Sequence, residues 1–190
     1  DVTAIQAKAS ALASHEAVKD QLKRERAMEA AEVRQKVSTE QLFHQLSDSD
    51  DPLTPLNRLR SLIDALKDDE KRAKTAADQL HARRLLGHLN ITAYYEGHPL
   101  YDSRQYGVAI PYLELQAAVY PEAAATQYRV AVARAATGNK KKALEALEKA
   151  ASSGFSDGAR IDKEPAFGQI RGHASFKAVL ERVRANAKTS

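Results

Sequence analysis

The stretch Tyr106-Gly107-Val108-Ala109-Ile110-Pro111-Tyr112-Leu113-Glu114-Leu115-Gln116-Ala117-Ala118-Val119 decides the fold when it is laid over Lys140 to Ser153. Ala109 then falls on Ala143, Ile110 on Leu144, Leu113 on Leu147 and Glu114 on Glu148, each pair 34 residues apart. Two segments that repeat small, apolar and acidic positions in one order read as copies of one helix. A period of 34 residues leaves room for a second helix and a turn in each unit. Units of this kind hide their apolar faces only by stacking on a neighbour, so the spacing predicts an all-α helical array.

If Asn90 and Ala124 open the two units, further positions fall into place. Gly97 and Ala131 occupy the small position where paired helices approach closely, Val130 fills a core position, and Pro121 ends the first unit. Gly138 followed by Asn139 supplies a helix C-terminus and a cap for the next helix. In these residues the chain resembles the tetratricopeptide repeat family, from Asn90 to about Gly154. It departs from the family at Phe155, where a closing proline is usual, at Glu96 in place of an apolar residue, and at Tyr94 and Tyr128, where the large aromatic is displaced. The run from Gly154 through Pro165 and Phe167 to Phe176 is similar to the terminal segment that closes such repeats in many bacterial proteins. Phe155, Phe167, Ile170, Phe176, Val179, Leu180 and Val183 are the apolar groups available to it.

The resemblance implies a protein-interaction module whose partner is a protein or peptide. In that family the first helix of each unit lines a concave groove, which here places Tyr94, His98, Tyr101, Tyr128 and Val132 at the partner-binding positions. The Lys and Asn of the family's carboxylate clamp are not matched, since Tyr94, His98, Tyr128 and Val132 stand there, so recognition of an acidic chain terminus by that device is not expected. All seven tyrosines fall between residues 94 and 128. Tyrosine favours binding surfaces because it offers large area at low entropic cost, although Tyr106 and Tyr112 read as packing residues. The repeat also makes Ala143 a near-contact between helices, where Ala143→Leu should overpack more severely than Ala151→Leu.

Outside the repeats the chain is also helical in character. Val2 to Leu46 contains neither Gly nor Pro and is rich in Ala, Glu, Lys, Gln and Arg, which predicts one long helix or two abutting ones, with Ser38 and Gln41 a weak capping box for a second. Its stripe of Val2, Ile5, Ala9 and Leu12 lapses near Lys23 and resumes with Val33, Val37, Leu42, Phe43 and Leu46. That is too broken for the sustained heptads of a coiled coil, so the arm is expected to pack on its own chain. A homodimer through the arm, seamed by Leu42, Phe43 and Leu46, is the alternative. Ser47 to Pro52 is the clearest break. Leu53, Leu56, Leu59, Leu62, Ile63 and Leu66 then trace an amphipathic helix, and a further helix from Glu70 carries Leu80, Leu85, Leu86 and Leu89. Pro99 is expected to interrupt or kink the next helical stretch. The expected organisation is an N-terminal helical arm over 1–46, a helical hairpin over 52–89, two repeat units over 90–154 and a cap over 155–190.

Composition narrows the chemistry. The chain of 190 residues has no cysteine, which removes disulfides, zinc-thiolate sites and thiol nucleophiles. That composition suits a reducing cytoplasm or an exported bacterial protein; a periplasmic or secreted location is the expectation of the two. The first residue is Asp1 and no signal peptide is visible, so a processed product or an excised piece is expected. No apolar run is long enough for membrane insertion. The net charge of +4 comes from bases interleaved with acids, as at Lys23-Arg24-Glu25-Arg26, and not from a patch, so no nucleic-acid partner is expected. Asp48 and Asp50 suggest a calcium loop, but Leu53 stands where Gly is needed and no Glu closes the loop. The histidines have no metal-ligand spacing, and neither a phosphate loop nor a nucleophile elbow occurs. No enzyme, metal or cofactor is expected. A structural homodimerisation module, or the accessory region of a longer enzyme or sensor, remain alternatives to the interaction module.

Overall fold

The structure, a computed structural model, describes residues 2–48 and 53–189. Among these it is all-α, with α1 (Val2–Asp48), α2 (Leu53–Arg72), α3 (Ala76–Asp102), α4 (Tyr106–Val119), α5 (Ala124–Ala136), α6 (Lys140–Ser152), α7 (Gly158–Lys163), a 3-10 turn (Pro165–Gln169) and α8 (Ala174–Thr189). The break expected at Ser47 is entered where α1 ends; residues 49–52 lie outside the described residues.

With no Gly or Pro to stop it, α1 runs unbroken for 47 residues, about 70 Å at the helical rise. Ser38 and Gln41 start no new helix. Thr39 is buried and its hydroxyl donates back to the Gln35 carbonyl at 2.8 Å, which satisfies it within the same helix. Contact with the rest of the fold begins at Met28 and recurs at Glu32, Gln35, Thr39, Leu42, Phe43 and Leu46, the spacing of one helix face. Residues 10–27 are exposed throughout. The arm therefore packs on its own chain over its second half, while the stretch 10–27 stands clear of it. Along the packed half α1 and α3 run in the same direction: Glu32 meets His81 at 3.5 Å and Glu40 meets His88 at 3.8 Å.

Two cores share α4. On one side Phe43, Leu46, Leu59, Ile63, Leu85, Leu89 and Ala93 enclose Tyr112, Leu115 and Val119. On the other, Ala109, Ile110 and Leu113 join Tyr128, Val132, Ala143 and Leu147 with the C-terminal Phe155, Phe167 and Phe176. Phe43 stacks on Tyr112 with ring centroids 6.2 Å apart, and the Tyr112 hydroxyl lies 2.9 Å from the Ser47 hydroxyl. The boundary expected between residues 89 and 90 falls inside α3, because Leu89 and Ala93 belong to the same core. Pro99 does not interrupt α3 either: it is exposed and only three residues from the end of the helix, so one intrahelical hydrogen bond is lost and the helix still runs to Asp102. Ala143 is buried as expected, but so is Ala151, so the expected contrast between leucine substitutions at the two disappears. Ala151 is covered from the C-terminal side, where Asn186 of α8 donates to its carbonyl at 2.8 Å.

Gly97 lets α3 and α4 approach. A Cβ built there would lie 2.6 Å from the Tyr112 Cβ, an atom fixed to the backbone. Gly97→Ala is therefore expected to lose about 1–3 kcal/mol to overpacking in spite of the better helix propensity of Ala, a loss read from the urea midpoint.

Three helix ends close alike. Gln105 N–H donates to the Leu100 carbonyl at 2.8 Å, Asn139 to Arg134 at 2.8 Å and Phe155 to Ala150 at 2.9 Å. Each closure needs a left-handed residue, supplied by Gly138 (φ 80°) and Gly154 (φ 89°) but by Arg104 (φ 62°) at the first end. Arg104 stands 34 residues before Gly138, so one unit has glycine where the other strains an arginine. Arg104→Gly is expected to raise stability by about 0.5–1 kcal/mol, visible as a higher melting temperature.

Candidate partner-binding face

The five residues expected to line a groove do not share a surface. Tyr94 is 46% exposed, Tyr101 is half-buried, and His98, Tyr128 and Val132 are buried. The correction concerns Tyr128 and Val132: Tyr128 faces the protein's own C-terminal segment, and Val132, likewise shut off from solvent, lies in the same core. After Gly154 the chain turns back: Phe155 stacks on the Tyr128 ring at 4.7 Å with the planes 6° apart, and Phe167 meets it edge-on at 6.1 Å. The Arg160 guanidinium sits 4.8 Å from the same ring centroid, and the Tyr128 hydroxyl donates to Glu164 at 3.5 Å. Burial, reinforced by the Glu164 carboxylate, pushes the Tyr128 phenol up to about 12. Tyr101 packs edge-on to Tyr106 at 5.4 Å, and burial raises it well above the usual tyrosine range. The sequence presents the cap as a lid on the end of the array; its aromatic residues cover the α5 side as well.

What stays open is the α3 side. Ile91 is 55% exposed and Tyr95, absent from the expected set, is 71% exposed. With Tyr94 they form an i, i+3, i+4 cluster on one helix face, and this spacing is the signal in the sequence that could have found them. Tyr94 and Tyr95 meet edge to face at 5.6 Å, while Tyr94 lies over the His98 ring at 3.8 Å. The buried Nε2 of His98 has no hydrogen-bond partner. On the inner side Gln116 donates to the Ala93 carbonyl at 3.2 Å, which locks the α3–α4 contact beneath the patch.

Burial first, and then the Arg129 charge, hold His98 below its ordinary pKa of 6.5, against smaller opposing effects from Asp102 and Gln116. Above about pH 6.5 the imidazole is neutral folded or unfolded, and no penalty exists. As the pH falls below that value the unfolded chain takes up a proton that the folded one resists, so stability is lost on acidification. The urea midpoint is expected to drop between pH 7.5 and 5.5, and His98→Gln should flatten that slope.

Among the described residues no set of three or more His, Asp or Glu side chains is placed to hold a metal ion, and no helix is long and apolar enough to cross a membrane. Comparison with known proteins finds no likeness: no family model matches the chain, and neither a curated protein nor a solved structure does.

Proposed function

We propose that this chain is a non-enzymatic protein-interaction module, built on the plan of tetratricopeptide repeats, that takes an apolar segment of a partner protein on the α3 face of Ile91, Tyr94 and Tyr95. The observation that carries the reading is the exposure of these large apolar side chains side by side on a helix whose other face is fixed in the core. Isolated surface apolar groups need no explanation, but an aromatic pair with an aliphatic neighbour, held rigid from beneath, has the character of a binding hot spot. Tyr94 contributes twice, since it also shields the unpartnered His98 nitrogen. A photo-crosslinking phenylalanine at position 95, expressed in the source cells, should yield one discrete adduct that disappears when Ile91 and Tyr94 are changed to Ser. A similar adduct from exposed Ala136 would remove the reading.

A second reading rests on a different observation, the exposed stretch of α1 over residues 10–27, which includes Leu12, Val18 and Leu22. Most helical stability in proteins comes from packing, so a bare stretch of this length calls for a surface. A second copy of the chain would provide one. Light scattering tests it directly: a dimer converted to a folded monomer by deletion of residues 1–26 supports self-association through the arm, and a monomer at every concentration excludes it.

A further inference from the structure

A cavity of about 540 Å³ opens between α4, the turn at Pro121, α5 and α6, with Arg60 of α2 at its edge, and shares no residue with the α3 face. Its charged centre is Glu114, held by guanidiniums from two other helices. Arg60 donates to one carboxylate oxygen at 2.6 Å, and Arg134 donates to the other through Nε at 2.9 Å and also through Nη2. The arrangement fixes both arginines while leaving guanidinium donors uncommitted. On α6 stand Lys142 and Lys149, which form no ion pair among the described residues, with Glu145 between them. Four cations thus face two carboxylates across a groove whose walls include Ala118, Val130 and Ala146.

We propose that this groove is a docking site for an acidic segment of a partner protein, bound as an extended chain with carboxylates three residues apart. Charge complementarity selects the sign of the ligand, and spacing selects its form. Lys142 and Lys149 lie two helical turns apart, about 10.5 Å along the axis. A polyproline II chain returns to the same face every three residues, after about 9.3 Å. One acidic side chain then meets each lysine, and the apolar wall takes the residues between. A cavity of this size is also far larger than a single phosphate or carboxylate requires. Glu145 opposes the ligand and sets a weak, salt-sensitive affinity.

The probe is a fluorescein-labelled peptide, Ala-Glu-Pro-Ala-Glu-Pro-Ala amide, titrated with the full chain by fluorescence anisotropy at low salt. Binding is expected to weaken about tenfold in the Lys142→Gln, Lys149→Gln double variant and to tighten in Glu145→Gln. It should also weaken with added sodium chloride and vanish for the peptide with Gln in place of Glu. All three side chains lie at the surface, so circular dichroism should show an unchanged fold. Failure of the peptide to bind overturns the proposal, as does equal binding to the double variant. Complete competition by inorganic phosphate at concentrations equal to the peptide would also overturn it, in favour of a small-anion site. None of these outcomes bears on the α3 face, which a crosslink at position 95 tests separately.

Discussion

Phe167→Ala is expected to destabilise the protein by about 3–5 kcal/mol, the cost of removing a fully enclosed aromatic ring from a core that cannot collapse around the gap. Phe167 is 0% exposed and touches Tyr128 edge-on at 6.1 Å and Phe176 at 5.8 Å, so it joins α5, the 3-10 turn and α8 at one point. Its loss should loosen the C-terminal segment from α5 before α4, α5 and α6 separate. Tyrosine titration followed by ultraviolet absorbance gives an independent readout. Tyr128 ionises only near 12 in the intact fold, and in the variant it should titrate closer to an ordinary phenol at about 10. A loss below about 1 kcal/mol with the number of late-ionising tyrosines unchanged would show that the cap is held elsewhere.

Two truncations of α1 should behave oppositely. Removing residues 1–26 takes away most of the exposed stretch 10–27 and leaves the packed face from Met28 onward intact, so it should leave the melting temperature of the domain within a degree or two. Removing residues 1–46 also deletes Phe43 and Leu46, which are 3% and 6% exposed. Two large apolar side chains contribute about 3–6 kcal/mol by burial, and the stack on Tyr112 is lost with them. Thermal unfolding by circular dichroism distinguishes the cases. Equal melting temperatures for the two truncations would mean that the packed half of α1 contributes nothing, contrary to its place in the core.

The all-α character is legible in the sequence because helix-forming composition, heptad-like leucine spacing in α2 and the 34-residue offset all point the same way. So are the close approach at Gly97, the buried Ala143, and the glycine turn at Gly138. The groove is less legible for a physical reason. Periodicity tells which residues of α5 face inward; it does not tell what fills the space they face. Tyr128 meets an unexpected neighbour, since the Phe155 and Phe167 rings fold back onto it from more than 25 residues along the chain. Tyr95 escapes for the opposite reason. It lies off the repeat's nominal inner stripe, and only its exposure in the folded chain singles it out. The extent of arm packing is half legible: the lapse of the stripe near Lys23 falls within the exposed stretch that ends at Met28, but Val33 and Val37, expected to resume it, are exposed, and the packed face runs through Glu32, Gln35 and Thr39 instead.

That departure point makes α1 a lever. From Met28 to Phe43 it is clamped over about 22 Å, and from Met28 to Val2 it reaches about 39 Å outward with no proline or glycine hinge to absorb a bend. A tilt of about 10° about Met28 carries the tip some 7 Å while the Phe43 ring moves about half as far against Tyr112. A sideways pull at the free end is thus delivered to the aromatic stack at nearly twice its force. A partner that grips the arm could, by mechanics alone, strain α4, the helix on which the core of the cap is also built.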